Sequence, residues 1–85
     1  MPATGTYRYV YILVSLSDPE RHYVGVTDNL DDRLRHHNSG ASPHTAKHRP
    51  WRIETCVAFH DLNKALAFES YLKSGSGREF ARRHF

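Results

Sequence analysis

Cysteine is almost absent: Cys56 is alone among 85 residues. One thiol excludes a disulfide framework and any cysteine-based zinc site within a chain. Its place inside an apolar strand pattern reads as a buried position. Long apolar runs are also missing. The main one, Val10-Tyr11-Ile12-Leu13-Val14, is far short of the roughly 20 residues that a bilayer span needs, so no membrane partner is expected. Met1-Pro2-Ala3-Thr4-Gly5 has neither the basic start nor the apolar stretch of a secretion signal, which makes the cytoplasm the expected compartment. There is no repeat, low-complexity tract or linker. The length suits one domain over residues 1–85 with a thin core, since a chain this small buries only about 60% of its unfolded surface.

What charge there is lies unevenly. The net charge is +3, but residues 1–46 sum to −1 and residues 47–85 to +4. A basic half points to a polyanionic partner.

The pattern of residues predicts strand, strand, helix, loop, strand, helix, helix. Tyr7 to Ser15 is rich in aromatic and β-branched residues, as strands are. Both its faces are apolar, which suits a central strand. Ser17-Asp18-Pro19-Glu20 is a turn, because Pro presets one backbone angle and Ser and Asp bond locally. It joins the first strand to an antiparallel partner over His22 to Thr27. Asp28-Asn29 caps a helix that runs to about His37, with Asp31 and Asp32 in its first turn. Asn38-Ser39-Gly40 stops it. Residues 40–50 read as a polar loop. In the third strand Trp51, Ile53, Thr55, Val57 and Phe59 alternate, which predicts one shared face. Asp61 caps a second helix reaching about Lys73, where Ser74-Gly75 ends it. Ser76-Gly77-Arg78-Glu79 matches a capping box before a short last helix. Strands and helices without regular β-α-β alternation predict an α+β domain with a small, mostly antiparallel sheet.

Two charges fall on inward helical faces. Leu62, Ala65, Leu66 and Leu72 form an apolar stripe at helical spacing, with Glu69 in its middle. A carboxylate there needs a backbone N–H, an arginine or a metal ion. On the first helix Leu30 and Leu34 face inward, and Arg33 and His37 continue that face, four residues apart. Arg33 either packs its stem on the sheet or presents its charge to a ligand. His37 either caps the helix C-terminus or takes part in chemistry. Tyr11 and Tyr23 sit in the first two strands. Tyrosines there are ordinarily core residues whose hydroxyls need partners. Gly25 beside them marks a close approach of a ligand or another backbone.

A carboxylate, an arginine and tyrosines suit phosphodiester hydrolysis. Such a site must activate water, stabilise charge on the phosphorus oxygens and assist the leaving oxygen. Arg can bond two phosphate oxygens at once, and a carboxylate can hold a divalent metal. His36, His37, His44, His48 and His60 show no zinc-ligand spacing.

Tyr9-Val10-Tyr11, then Tyr23-Val24-Gly25, then the helix Asp28-Asn29-Leu30-Asp31-Asp32-Arg33-Leu34 resemble the GIY-YIG nuclease superfamily. His37-Asn38-Ser39-Gly40, Thr45-Ala46-Lys47, Pro50-Trp51 and the stretch from Tyr71 to Arg78 resemble its small, free-standing bacterial branch. The resemblance covers residues 7 to about 83. It implies a three-stranded antiparallel sheet flanked by helices, and one divalent metal, Mg²⁺ or Mn²⁺. It implies that Tyr11 and Tyr23 line the site and one helps to activate water. Arg33 would bind the scissile phosphate, Glu69 would be the sole protein ligand of the metal, and His37 would serve proton transfer. The sequence departs from the pattern with Tyr9 in place of Gly and Val in place of Ile in both motifs. The asparagine that some members use after the glutamate has no counterpart beyond Asn63. His84 is one residue that could fill its role.

The function implied is a metal-dependent DNA endonuclease, cutting single-stranded or branched DNA in repair or recombination. The alternatives are a nucleic-acid-binding module that keeps the fold without useful turnover, and a non-catalytic partner-binding domain. DNA is the expected partner, with Lys47, Arg49, Lys73, Arg78, Arg82 and Arg83 as candidate phosphate contacts. A protein partner for targeting is a further expectation.

Overall fold

The structure, a computed structural model, describes residues 7–85. The N-terminal residues read above for a secretion signal lie outside them. Three strands and four helices follow in order: β1 (Arg8–Ser15), β2 (His22–Thr27), α1 (Leu30–Ser39), α2 (Pro43–Ala46), β3 (Trp51–Phe59), α3 (Leu62–Leu72) and α4 (Gly75–His84). The sheet is antiparallel with the order β2-β1-β3. This is the α+β, three-stranded architecture expected. The doubly apolar β1 is the central strand, as its composition requires.

Successive strand residues face opposite sides, so β1 supplies two cores. Val10 and Ile12 pack with Ala65 and Leu72, and around them lie Val24, Val26, Phe59, Phe68, Phe80 and Ala81. On the other face, Tyr11 and Leu13 pack with Trp51, flanked by Tyr23, Leu30, Leu34 and Ile53. Thus α3 and α4 cover one side and α1 the other.

The third strand does not keep one face. Its register on β1 steps from Ile12↔Thr55 to Leu13↔Ile53, which leaves Glu54 as an extra residue. A one-residue slip moves every following side chain to the opposite face. Thr55, Val57 and Phe59 therefore share the α3 side, while Trp51 and Ile53 serve the α1 side. The slip also corrects the reading of Cys56. It pairs with Tyr11 on a stretch that α1 does not roof, and its side chain is exposed.

Three helical details differ from expectation. Residues 40–50 are not wholly loop. Ser42 starts the short α2, with Pro43 in its first turn, where a missing N–H costs nothing. On α3 the buried stripe is Ala65, Phe68 and Leu72, and Leu62 and Leu66 are exposed. Phe68 sets this rotation by packing against Phe59, with ring centroids 5.6 Å apart. Last, the cap of α4 is Ser74, whose Oγ accepts from the Gly77 N–H at 3.1 Å. Ser76 is in the first turn, Glu79 bonds Arg82 and Arg83 instead, and the helix is ten residues long rather than short.

Gly77 lets α4 approach the end of α3. A Cβ there would lie 1.7 Å from the Tyr71 carbonyl oxygen and 2.7 Å from the Leu72 Cα. Backbone cannot step aside as a side-chain tip can. Gly77→Ala is expected to cost about 1–3 kcal/mol, as overpacking does, lowering Tm by roughly 4–8 °C per kcal/mol. Gly75 has nothing within 4 Å of the same position. Gly75→Ala is expected to stabilise by about 0.4–1 kcal/mol by narrowing the unfolded ensemble. Thermal unfolding of the two variants side by side checks both signs.

Candidate active site

Tyr11 lies across the sheet rather than away from it. Its ladder partner is Gly25. A Cβ on Gly25 would stand 2.4 Å from the Tyr11 hydroxyl and 2.6 Å from its Cζ. The close approach marked by this glycine is therefore the Tyr11 ring itself.

The ring ends at α1. There the Tyr11 hydroxyl meets His37 Nε2 at 3.0 Å. On the far side of the imidazole, Nδ1 meets Thr45 Oγ1 at 2.9 Å. His37 is only 2% exposed, and Tyr11 and Thr45 only 1%. Tyr23 closes one side, its ring centroid 4.8 Å from that of His37, and it keeps part of its surface in solvent.

Local sequence fixes this placement. Asn29 accepts from the Asp32 N–H and starts α1. Gly40, at φ 84°, ends it in the left-handed conformation that favours glycine. Asn38 then clamps the start of β3. Its Oδ1 accepts from the Trp51 N–H at 2.6 Å and its Nδ2 donates to the Trp51 carbonyl at 3.0 Å. The Trp51 indole N–H donates to the Thr45 carbonyl at 2.8 Å. Helix, α2 and strand are thereby tied around His37.

Burial pushes the Tyr11 phenol up to about 12, helped by Tyr23. The positive charge of Arg33 and a hydrogen bond from it oppose the rise, and Glu69 adds the smallest push upward. Burial, then the charge of Arg33, then His36 hold His37 below its ordinary value. Both members of the Tyr11–His37 pair are therefore neutral near pH 7. The neutral phenol carries the proton that the 3.0 Å contact can give to His37 Nε2.

Arg33 itself is exposed and belongs to no ion pair among the described residues. It lines a shallow pocket of about 420 Å³ with Thr27, Asp28, Asn29, Asp32 and His36. Glu69 comes from the opposite side of the sheet. Its side chain is 21% exposed, and Lys73 Nζ lies 3.0 Å from its Oε2. No group of three or more His, Cys, Asp or Glu among the described residues forms a metal cage. A lone accessible carboxylate already facing a cation suits a hard ion that keeps most of its water, such as Mg²⁺ or Mn²⁺.

The six basic candidates do not form one patch. Lys47 and Arg49 are exposed just after α2. Lys73, Arg78 and Arg82 line a second groove of about 940 Å³, floored by Ile12, Val24 and Leu72. Arg82 and Arg83 both pair with Glu79. Thr45 was not singled out as a site residue from the sequence. The available signal was Ser42-Pro43, a helix start within the assumed loop.

The GIY-YIG catalytic domain family matches residues 7–82. The chain is 42% identical to the structure-specific endonuclease subunit SLX1 homolog of Leishmania infantum, over 74% of this chain and 10% of that protein. It is 39% identical to the structure-specific endonuclease subunit SLX1 of Debaryomyces hansenii, over 75% of this chain and 20% of that protein. It thus spans about a tenth and a fifth of the lengths of these curated relatives. The matched region includes Tyr11, Tyr23, Arg33, His37 and Glu69, and the chain belongs to the GIY-YIG catalytic domain family.

Proposed function

We propose that this domain is a metal-dependent endonuclease that hydrolyses DNA phosphodiester bonds, with branched DNA as the preferred substrate. One observation carries the reading. An exposed arginine that belongs to no ion pair among the described residues lies near a neutral, buried Tyr11–His37 pair and opens onto a shallow pocket. The names of the two relatives, structure-specific endonuclease subunits, support the choice of branched DNA.

The two tyrosines divide the work by exposure. Tyr11 is buried and bonded to His37, so it orders the site rather than meeting substrate. Tyr23 is half-buried and is the tyrosine open to water. Tyr23 orients the attacking water. The water oxygen bonds to phosphorus as one bridging P–O bond breaks, and the proton the water loses passes through solvent to the departing sugar oxygen. Arg33 binds the phosphate oxygens with its fork and stabilises the charge that grows on them. Glu69 would hold a Mg²⁺ or Mn²⁺ ion in place of the Lys73 ammonium. When bound, that ion would draw charge from the phosphate and the leaving oxygen. Lys47 and Arg49, with Lys73, Arg78 and Arg82 in the second groove, would contact flanking phosphates. A partner protein would select the site of action.

The direct test is cleavage of labelled single-stranded, duplex, flap and four-way DNA with Mg²⁺ or Mn²⁺. Branched substrates are expected to be cut. Glu69→Gln and Arg33→Ala are each expected to lose about 10²–10³-fold in rate, as removal of a charge-stabilising group does. No metal-dependent cutting, or cutting by Glu69→Gln at the parent rate, overturns the proposal.

Gly25→Ala probes the Tyr11–His37 pair from the opposite side. Ordinary contact is 3.4–4 Å, so a Cβ at 2.4 Å forces the Tyr11 hydroxyl aside. A shift of about 1 Å can cost ~10²-fold in rate. Cleavage is expected to fall by about that factor while DNA affinity in a gel-shift assay stays near the parent value.

Acid has a defined sign. His37 must be neutral to accept from Tyr11, and its folded pKa lies below the ordinary value. In that window the unfolded chain binds more protons, so this group's stability is present above about pH 6.5 and lost as pH falls through the lower, folded value. Cleavage is expected to fall over the same range. An NMR titration of His37 checks it: the midpoint should lie below about 6.5 and rise in Arg33→Gln.

A further inference from the structure

A neutral histidine has two tautomers, and only one of them can serve Tyr11. For Tyr11 to donate to Nε2, the proton of His37 has to reside on Nδ1. Thr45 Oγ1 is the atom facing Nδ1, at 2.9 Å. A hydroxyl can donate as well as accept, so contact alone does not fix the tautomer. The other end of the chain does. Thr45 Oγ1 is also 3.5 Å from the Ser42 carbonyl oxygen, which can only accept. With its proton directed there, Oγ1 presents a lone pair to Nδ1–H. The whole line then points one way: Tyr11 to His37, His37 to Thr45, Thr45 to the Ser42 carbonyl.

We propose that Thr45 is a positioning residue, whose hydroxyl holds His37 in the Nδ1–H tautomer and so aligns the Tyr11 hydroxyl near Arg33. The structure around Thr45 is built for this. It is buried, it stands on the first turn begun by Ser42, and its carbonyl accepts from the Trp51 indole N–H at 2.8 Å. Its backbone is therefore fixed independently of its hydroxyl. The groups facing His37 are Tyr11 from β1, Tyr23 from β2, and Arg33 and His36 from α1. None of them faces Nδ1 in place of Thr45. This proposal rests on the reading of Arg33 as the phosphate-binding group, but its first test does not.

That first test is the ¹⁵N chemical shifts of the His37 ring, read in the intact chain without metal or DNA at a pH above its titration. The parent is expected to show one tautomer, protonated at Nδ1. Thr45→Val keeps the shape and removes the hydroxyl, and is expected to populate the Nε2–H form. Thr45→Ser is expected to restore the parent spectrum. On cleavage of branched DNA, Thr45→Val is expected to lower kcat roughly 10–100-fold, the scale on which an orienting partner acts, with KM changed little. Thr45→Ser is expected to recover most of the rate. Circular dichroism and a melting curve establish that each variant is folded. Should Thr45→Val fail to fold, Thr45→Ser and Thr45→Ala carry the same comparison. A parent imidazole protonated at Nε2, or an Nδ1–H form that persists without the hydroxyl, overturns the inference. If Glu69→Gln cuts at the parent rate while the tautomer shifts as described, the nuclease reading fails and the role of Thr45 in the His37 tautomer stands.

Discussion

A buried imidazole has two nitrogens to satisfy, and His37 satisfies them on two different elements. Its helix delivers the ring, β1 delivers the Tyr11 hydroxyl, and α2 delivers the Thr45 hydroxyl. Leaving either nitrogen without a partner would cost about 1–3 kcal/mol, a large share of the stability of so small a domain. No buried side-chain nitrogen or oxygen among the described residues lacks a partner. The polypeptide between α1 and β3 is therefore committed to a path that returns Thr45 to the ring. The Asn38 clamp on Trp51 and the indole bond to Thr45 enforce that path from outside. The His37-Asn38, Thr45 and Pro50-Trp51 segments, separate in the sequence, are one hydrogen-bonded unit in space.

The extra residue in β3 solves a different problem. An 85-residue chain with one sheet must bury both faces of its central strand, yet its third strand has only one alternating set of apolar side chains. The slip at Glu54 divides that set. Phe59 joins the core under α3, while Ile53 and Trp51 join the core under α1. Trp51 is thus on the correct side to hold Thr45. On the upper part of the α1 side, Cys56 and Ala58 stay exposed beside the strand that carries Tyr11. Packing and access are set by the same irregularity.

Much of this was legible in the sequence. Element types followed from periodicity, and the caps at Asn29 and Asp61 were read correctly because those side chains act on the backbone next to them. Arg33 and Glu69 stand out in the sequence as charges expected on inward faces, yet in the fold Arg33 is exposed and only Glu69 is partly buried. The failures share one physical cause: they depend on partners distant in sequence. The face of Thr55 is decided by its register on β1, and the rotation of α3 by the contact of Phe68 with Phe59. The capping-box match at Ser76 was the right kind of signal two residues late, since Ser74 offers the same chemistry where α3 releases the chain. Thr45 was hidden because α2 has only four residues, too few for any periodicity.

The direction of the two pKa shifts explains what a tyrosine and a histidine, rather than a carboxylate, provide beside Arg33. Arg21, Arg35, Lys73, Arg82 and Arg83 all face carboxylates at contact distance. A carboxylate in contact with Arg33 would neutralise it. The Tyr11 phenol is raised and His37 is lowered, so the proton stays on the phenol and no phenolate–imidazolium pair forms. Burial drives both shifts, because it penalises the charged form of each group. The pair adds no counter-charge of its own to Arg33, which shares the pocket it lines with Asp28 and Asp32. Neutrality of the buried pair and availability of the exposed cation are the same electrostatic condition.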